Sequence, residues 1–266
     1  MVKGLEKFKE YFADYSDNYT LIGGTACSLA MEEAGLDFRV TRDLDIVLYV
    51  EALNAEFVRC FWDFVKAGNY KNRQKSEDRK VFYRFNNPED TSFPYMLELF
   101  SREPDILNID AESHLTPIPV DEDLSSLSAI LMDENYYGFI QAGTVKHDGL
   151  SIVKPEYLIP LKARAWLDIT ERSGHEGGDC RKHRNDVFRL YTILPLALTV
   201  SLPESVQKDM KAFLERIEIL KTIDMKNFGL RNSTVEEVCT ALRKIYVLMR
   251  PSRNRGRGQM SVGRGQ

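Results

Sequence analysis

The sequence predicts an α+β fold: a mixed sheet flanked by helices over residues 1–150, a helical domain over 151–250, and a basic, disordered tail over 251–266. Three observations predict it. Before residue 150, short apolar runs of strand character alternate with helical stretches and with turns rich in Gly, Asn and Pro. After Pro155 the apolar spacing is helical, and Ser201–Glu204 and Thr234–Glu237 both have the capping-box spacing, in which a hydroxyl and a glutamate satisfy orphan amides reciprocally. Beyond Pro251 the chain turns to Gly and Arg and offers little to bury.

In chain order, Leu5, Phe8 and Phe12 make one apolar side of a short helix. Tyr19–Ile22 reads as a strand that runs into Gly23-Gly24-Thr25, with a helix from about Ala26 to Ala34 stopped by Gly35. Phe38–Val50 reads as extended and ends in an apolar run. Lys80–Phe85 and Tyr95–Phe100 flank Asn86-Asn87-Pro88-Glu89-Asp90 and read as a hairpin. The stretch from Val120 to Ile140 looks largely helical, and Leu150–Val153 adds one more strand. Pro160 either starts or kinks the helix that follows Pro155. Val235, Val238, Leu242 and Ile245 mark the buried stripe of the last helix.

The bulk numbers exclude several classes. With 43% hydrophobic and 29% charged residues, the 266-residue chain is an ordinary globular protein. A net charge of −4 gives no overall pull toward nucleic acid or anionic lipid. No uncharged apolar stretch approaches the roughly 18 residues of a membrane span, and residues 1–20 carry no signal-peptide pattern. Cys27, Cys60, Cys180 and Cys239 are scattered and form no CxxC pair, so a reducing, cytoplasmic setting is expected.

The chemistry concentrates in Thr41-Arg42-Asp43-Leu44-Asp45-Ile46. Alternation along a strand puts Asp43 and Asp45 on one face, about 6.6 Å apart along the backbone, with Leu44 and Ile46 on the other. Two carboxylates held side by side repel, and a hard divalent cation with oxygen ligands relieves that repulsion; the alternative is solvated acids paired with Arg39 or Arg42. One short helix upstream, strand–Gly-Gly-Thr–helix has the form of a phosphate cradle, with close backbone approach at Gly23 and Gly24, free amides, and a hydroxyl donor at Thr25. Glu98 is the only acid in the apolar run 95–100, either the third carboxylate of the cluster or an edge residue facing solvent.

Ile22-Gly23-Gly24-Thr25-Ala26 followed by Arg39-Val40-Thr41-Arg42-Asp43-Leu44-Asp45-Ile46 resembles the signature of the polymerase-β-type nucleotidyltransferases, in particular the AbiEii/AbiGii toxin-like family. Leu161-Lys162-Ala163-Arg164-Ala165 and Lys182-His183-Arg184-Asn185-Asp186-Val187-Phe188-Arg189-Leu190 resemble that family's lysine-bearing and basic–acidic helices. The likeness spans about residues 20–195; His183 and the segment 173–179 depart from the pattern. It implies transfer of a nucleoside monophosphate from an NTP to an acceptor hydroxyl. Asp43, Asp45 and Glu98 would hold two Mg2+ ions (or Mn2+), with Glu98 also helping to remove the acceptor proton. Gly23, Gly24 and Thr25 would hold the terminal phosphates, Lys162 and Lys182 would neutralise them, and Asp186 would orient Lys182 or serve the acceptor. The acceptor implied is RNA (tRNA) or protein, and the implied setting is the toxin of a type IV toxin–antitoxin or phage-defence pair with a cognate antitoxin.

Two other classes remain open: a catalytically silent nucleotide- or RNA-binding module of the same fold, and a small-molecule (antibiotic) adenylyltransferase. The Arg-rich tail is either an RNA contact or a solvated terminus. His175, Cys180 and His183 lie close enough for zinc but lack an evident fourth ligand, so a flexible loop beside the cleft is the expectation. Cys27 is expected to be a small buried residue, and Phe61, Trp62, Phe64 and Trp166 core aromatics.

Overall fold

A computed structural model describes residues 2–75, 82–102, 116–117, 131, 133–174, 176–195, 197–220 and 223–248. The expectations for 120–130, for His175 and for the tail 251–266 lie outside those residues.

The sheet is mixed and has eight strands among the described residues: β1 Tyr19–Ile22, β2 Asp43–Leu48, β3 Tyr70–Lys75, β4 Phe82–Pro88, β5 Met96–Phe100, β6 Thr116–Pro117, β7 Thr144–His147 and β8 Leu150–Val153. Their order is β6-β3-β4-β5-β2-β1-β8-β7. At its centre β2 runs antiparallel to β1 and parallel to β5, and β4 pairs antiparallel with β5. The last strand ends at Val153, so the sheet runs slightly past residue 150.

Strand β2 is shorter than the expected Phe38–Val50. Its ladder begins where Asp43 pairs with Met96, the first residue of β5, and ends where Leu48 pairs with Tyr19, the first residue of β1. Beyond those partners residues 38–42 have no ladder to join and run irregularly. Asn87, near the end of β4, has a positive φ of 57°, a conformation that asparagine tolerates better than most residues.

Alternation along the strands feeds two cores. Leu44, Ile46, Leu48, Leu97 and Leu99 face the first, against α1 (Leu5–Phe12) and α3 (Ala55–Gly68), where Phe8, Phe12, Phe61, Trp62 and Phe64 are buried as expected. Val47 and Phe100 face the second, shared with α2 (Gly23–Glu33), α4 (Glu134–Gly143), α5 (Pro155–Ser173), α6 (Gly178–Tyr191), α7 (Glu204–Glu218) and α8 (Val235–Ile245). The sheet and the C-terminal helices thus bury one continuous apolar cluster.

Helix ends follow local chemistry with one exception. Thr234 and Glu237 form the capping box of α8 with both reciprocal bonds in place. The second proposed box fails: α7 begins at Glu204 with Pro203 as its cap, and Ser201 stands outside the helix. Pro203 already presets the backbone, and a glutamate in the first turn suits the helix dipole without a hydroxyl. Pro160 lies inside α5, with Pro155 at its start. Its missing amide would leave the Glu156 carbonyl orphaned, and the buried Tyr246 hydroxyl donates to that oxygen at 2.7 Å instead.

Candidate active site

Register assembles the site. In the central strands Arg84 on β4 pairs with Glu98 on β5, Glu98 with Asp45 on β2, and Asp45 with Ile22 on β1. Directly paired residues share a face, so Arg84, Glu98 and Asp45 form one row that ends at the Ile22–Gly23 turn. Asp43, two residues before Asp45, shares that face.

The glycine turn closes on the row. Gly23 has φ +64°, and a Cβ built there would sit 1.6 Å from Asp45 Oδ2. Only glycine tolerates both the conformation and the approach. A Cβ on Gly24 would lie 2.6 Å from Thr41 Oγ1 and 3.5 Å from Arg39 Nη2. Helix α2 starts at Gly23 rather than near Ala26, so both glycines belong to its first turn.

Thr25 is a correction. Its hydroxyl donates to the Asp43 carbonyl at 2.7 Å and is wholly buried. The proton proposed for a phosphate is committed to tying α2 to the start of β2.

The carboxylates are under electrostatic load. Burial raises the Glu98 carboxyl to about 8, helped by the charge of Asp45 and a hydrogen bond with it, and opposed by Arg84. Arg84 donates to Glu98 Oε1 from Nε at 2.9 Å and from Nη2 at 2.7 Å. Burial and Asp45 likewise raise Asp43, against Lys182, Arg84 and Arg39. Like charges in a desolvated row disfavour one another's ionised forms. The donor set is oxygen only and its charge incompletely answered, which fits a hard divalent cation at Asp43 and Asp45. Glu98 is engaged by Arg84, and among the described residues no three His, Cys, Asp or Glu side chains converge as ready-made ligands.

The helical side contributes a second charged cluster. Asp186, fully buried on α6, takes Arg39 Nε at 3.1 and 3.3 Å and Arg39 Nη2 at 2.9 Å, Arg189 Nη1 at 3.2 Å, and Lys162 Nζ at 3.4 Å. Burial alone would raise its carboxyl, but Lys162, Arg39 and Arg189 outweigh that and hold it below the usual range. Lys162 is itself buried, with a side chain only 6% exposed, so its charge answers Asp186 rather than lying open at the surface. Asp186 is held by Lys162, Arg39 and Arg189, and the charge of Lys182 acts on Asp43.

Two arginines were missed. Arg39 was read only as a counter-ion for Asp43 or Asp45, and it bonds Asp186 across 147 positions. Nothing local announces that contact. Arg84 did have a signal: it alternates with the buried Tyr83 and Phe85 just as Glu98 does with Leu97 and Leu99.

The zinc reading finds no support among the described residues. Cys180 is buried with its thiol donating to the Trp166 carbonyl at 3.7 Å. The loop beside it is pinned by Glu176, which accepts from Trp166 Nε1 at 2.9 Å and Arg184 Nη1 at 2.6 Å. Cys27 is buried, which pushes its thiol up to about 12, as suits a packing residue.

No family model and no curated protein matches this chain. Solved structures show some likeness. One is an antigenic nucleotidyltransferase-like protein from Paracoccidioides brasiliensis, at 14% identity over 92% of this chain and 95% of that one, TM-score 0.46. Another is the Megavirus polyadenylate synthase, at 12% identity over 81% of this chain and 36% of that one, TM-score 0.38. Both TM-scores lie below 0.5. No described helix is long and apolar enough to cross a membrane.

Proposed function

We propose that this protein transfers a nucleoside monophosphate from an NTP to an acceptor hydroxyl, releasing pyrophosphate. The observation that carries the reading is the row Arg84–Glu98–Asp45 ending against Gly23, with Asp43 beside it. An acidic row abutting a glycine turn juxtaposes a cation site with a place where backbone approaches phosphate.

Asp43 and Asp45 would hold Mg2+ or Mn2+, with Glu98 as the third carboxylate. Bound there, the cation supplies charge neutralisation for the attacking and leaving oxygens. Gly23 and Gly24 bring the backbone of the first turn of α2 against Asp45 and Thr41, where its amides would face the phosphate chain, and Lys182 adds positive charge over Asp43. Glu98, raised to about 8 by burial and by Asp45, is suited to accept the acceptor hydroxyl's proton near neutral pH. Its Oε1 accepts from Arg84, and the carboxyl also shares a hydrogen bond with Asp45. The acceptor oxygen forms the new P–O bond, the bond to pyrophosphate breaks, and the proton goes to Glu98.

The finer role we infer is that of a toxin in a toxin–antitoxin or phage-defence pair modifying RNA or protein; it rests on the likeness of the Gly-Gly-Thr and Asp-x-Asp motifs and of the helices bearing Lys162 and Lys182–Asp186 to that family. Incubating the protein with each α-labelled NTP, Mg2+ or Mn2+, and total RNA, protein or an aminoglycoside tests activity and acceptor class together. Label transfer that disappears in Asp43→Asn and Asp45→Asn is expected. No transfer from any of the four NTPs counts against the reading.

A silent binding module is the second reading, and the Arg84–Glu98 pair favours it, because a guanidinium already answers the third carboxylate. Nucleotide or RNA binding that survives the loss of both aspartates, without transfer, supports this alternative.

A further inference from the structure

Asp186 brings three cations to one buried carboxylate. Arg39 comes from the segment between α2 and β2, Lys162 from α5 and Arg189 from α6. Among the described residues no second carboxylate forms an ion pair with any of the three, although the charges of Asp43 and Asp45 also interact with Arg39. Three cations gathered on one carboxylate favour an anion beside them.

The surroundings agree. His183, one turn before Asp186, has both ring nitrogens shielded from water with no hydrogen-bond partner. Burial first, then Lys162, Lys182 and Arg39, hold that imidazole neutral. Burial is the larger cause, and the three cations add to it.

Of the cluster's cations, Arg39 is the one that reaches the glycine turn. A guanidinium has five N–H donors in a fixed fork. Arg39 uses Nε–H and one Nη2–H on Asp186, which leaves both Nη1 protons and the second Nη2 proton. Its side chain is 29% exposed, and Nη2 lies 3.5 Å from the position a Gly24 Cβ would take. The absence of a side chain at Gly24 thus lets Thr41 and a guanidinium with donors to spare close on the first turn of α2. Lys162, nearly all buried, cannot play that part; its charge helps keep Asp186 ionised.

We propose that Arg39 is a phosphate-binding residue of the nucleotide site, and that Asp186 beneath it is a positioning residue which fixes the guanidinium fork toward Gly24. The assignment rests on the nucleotidyltransferase reading for the identity of the phosphate, and on the buried cluster for the residues. It moves the phosphate-contacting side chain from Thr25 to Arg39, and takes Asp186 out of direct contact with nucleotide.

The test is titration of the full chain with inorganic tripolyphosphate, the moiety common to all four NTPs, followed by calorimetry with and without Mn2+. Arg39→Ala is expected to weaken binding about ten- to hundredfold, the usual worth of a charge-assisted bond, and Arg39→Lys by less because it keeps the charge without the fork. Asp186→Asn is expected to weaken binding in the native background and to have little further effect once Arg39 is alanine. A purely structural role for Asp186 predicts additive losses instead and overturns the positioning claim. Should Arg39→Ala fail to fold, Arg39→Lys decides.

Binding by both Arg39 variants within twofold of the parent overturns the proposal, while NTP transfer by the parent leaves the catalytic reading standing. Arg39-dependent tripolyphosphate binding without NTP transfer does the reverse. A parent chain that does not bind tripolyphosphate overturns the assignment of Arg39 as well.

Discussion

Replacing Glu98 with glutamine should flatten the pH dependence of folding stability. The carboxyl is raised from the ordinary 4.5 to about 8, chiefly by burial and by Asp45. An acid raised in the folded state binds its proton more tightly there than in the unfolded chain. Its stabilising contribution is fully present below pH 4.5 and is lost as pH rises from there through about 8. At 1.36 kcal/mol per pH unit the whole interval corresponds to about 5 kcal/mol, an upper bound that relaxation and local water reduce to roughly 2–5 kcal/mol. Glutamine keeps the shape and a carbonyl that can accept from Arg84, but it has no charge to add to the row. Urea unfolding of both proteins between pH 5 and 9, without divalent cations, measures the difference directly. The parent should lose roughly 2–4 kcal/mol more than Glu98→Gln over that range, since part of the loss already lies below pH 5. Parallel losses within about 0.5 kcal/mol, well under one pH unit's worth, would refute the idea that Glu98 ionises against its surroundings.

Three further outcomes follow from single contacts. Gly23→Ala forces a side chain into a +64° φ and onto the Asp45 carboxylate; a loss of at least about 2 kcal/mol in urea unfolding is expected, together with weakened Mn2+ binding by calorimetry. Thr25→Val removes the buried bond to the Asp43 carbonyl and should cost about 1–3 kcal/mol of stability while leaving tripolyphosphate affinity within a few-fold, whereas a residue that donates to phosphate would lose affinity first. Tyr246→Phe strips the donor from the Glu156 carbonyl that Pro160 leaves free and should cost about 1–2 kcal/mol. Pro160→Ala in that background restores an amide to the same oxygen and should recover part of the loss, so a double-mutant cycle without coupling counts against the substitution of one donor for another.

How much of this was legible beforehand differs from element to element. The strand pattern put Asp43 and Asp45 on one face, and the isolation of Glu98 in an apolar run marked it for the same site; register then aligned Glu98 with Asp45. Arg84 is equally legible by that logic, since it alternates with the buried Tyr83 and Phe85. Thr25 was misread because a hydroxyl after two glycines looks the same whether it faces a phosphate or a neighbouring carbonyl; only the position of Asp43 separates the two. Lys162 and Asp186 carried a local motif but not their partner, since an ion pair between helices depends on how α5 packs on α6.

The sequence by itself determined the local facts: which face each carboxylate takes, where the glycines permit close approach, which residues are too apolar to stay wet, and how α8 is capped. These follow from periods of two and 3.6 residues and from the chemistry of neighbours within a turn. The tertiary structure decided every pairing between distant segments: Arg39 with Asp186, Arg84 with Glu98, Tyr246 with Glu156, and the glycine turn with Asp45. Charged side chains are long and their attraction has little directional preference, so several partners satisfy them equally well on paper. Packing and strand register choose among those partners, and neither is a property of any one segment.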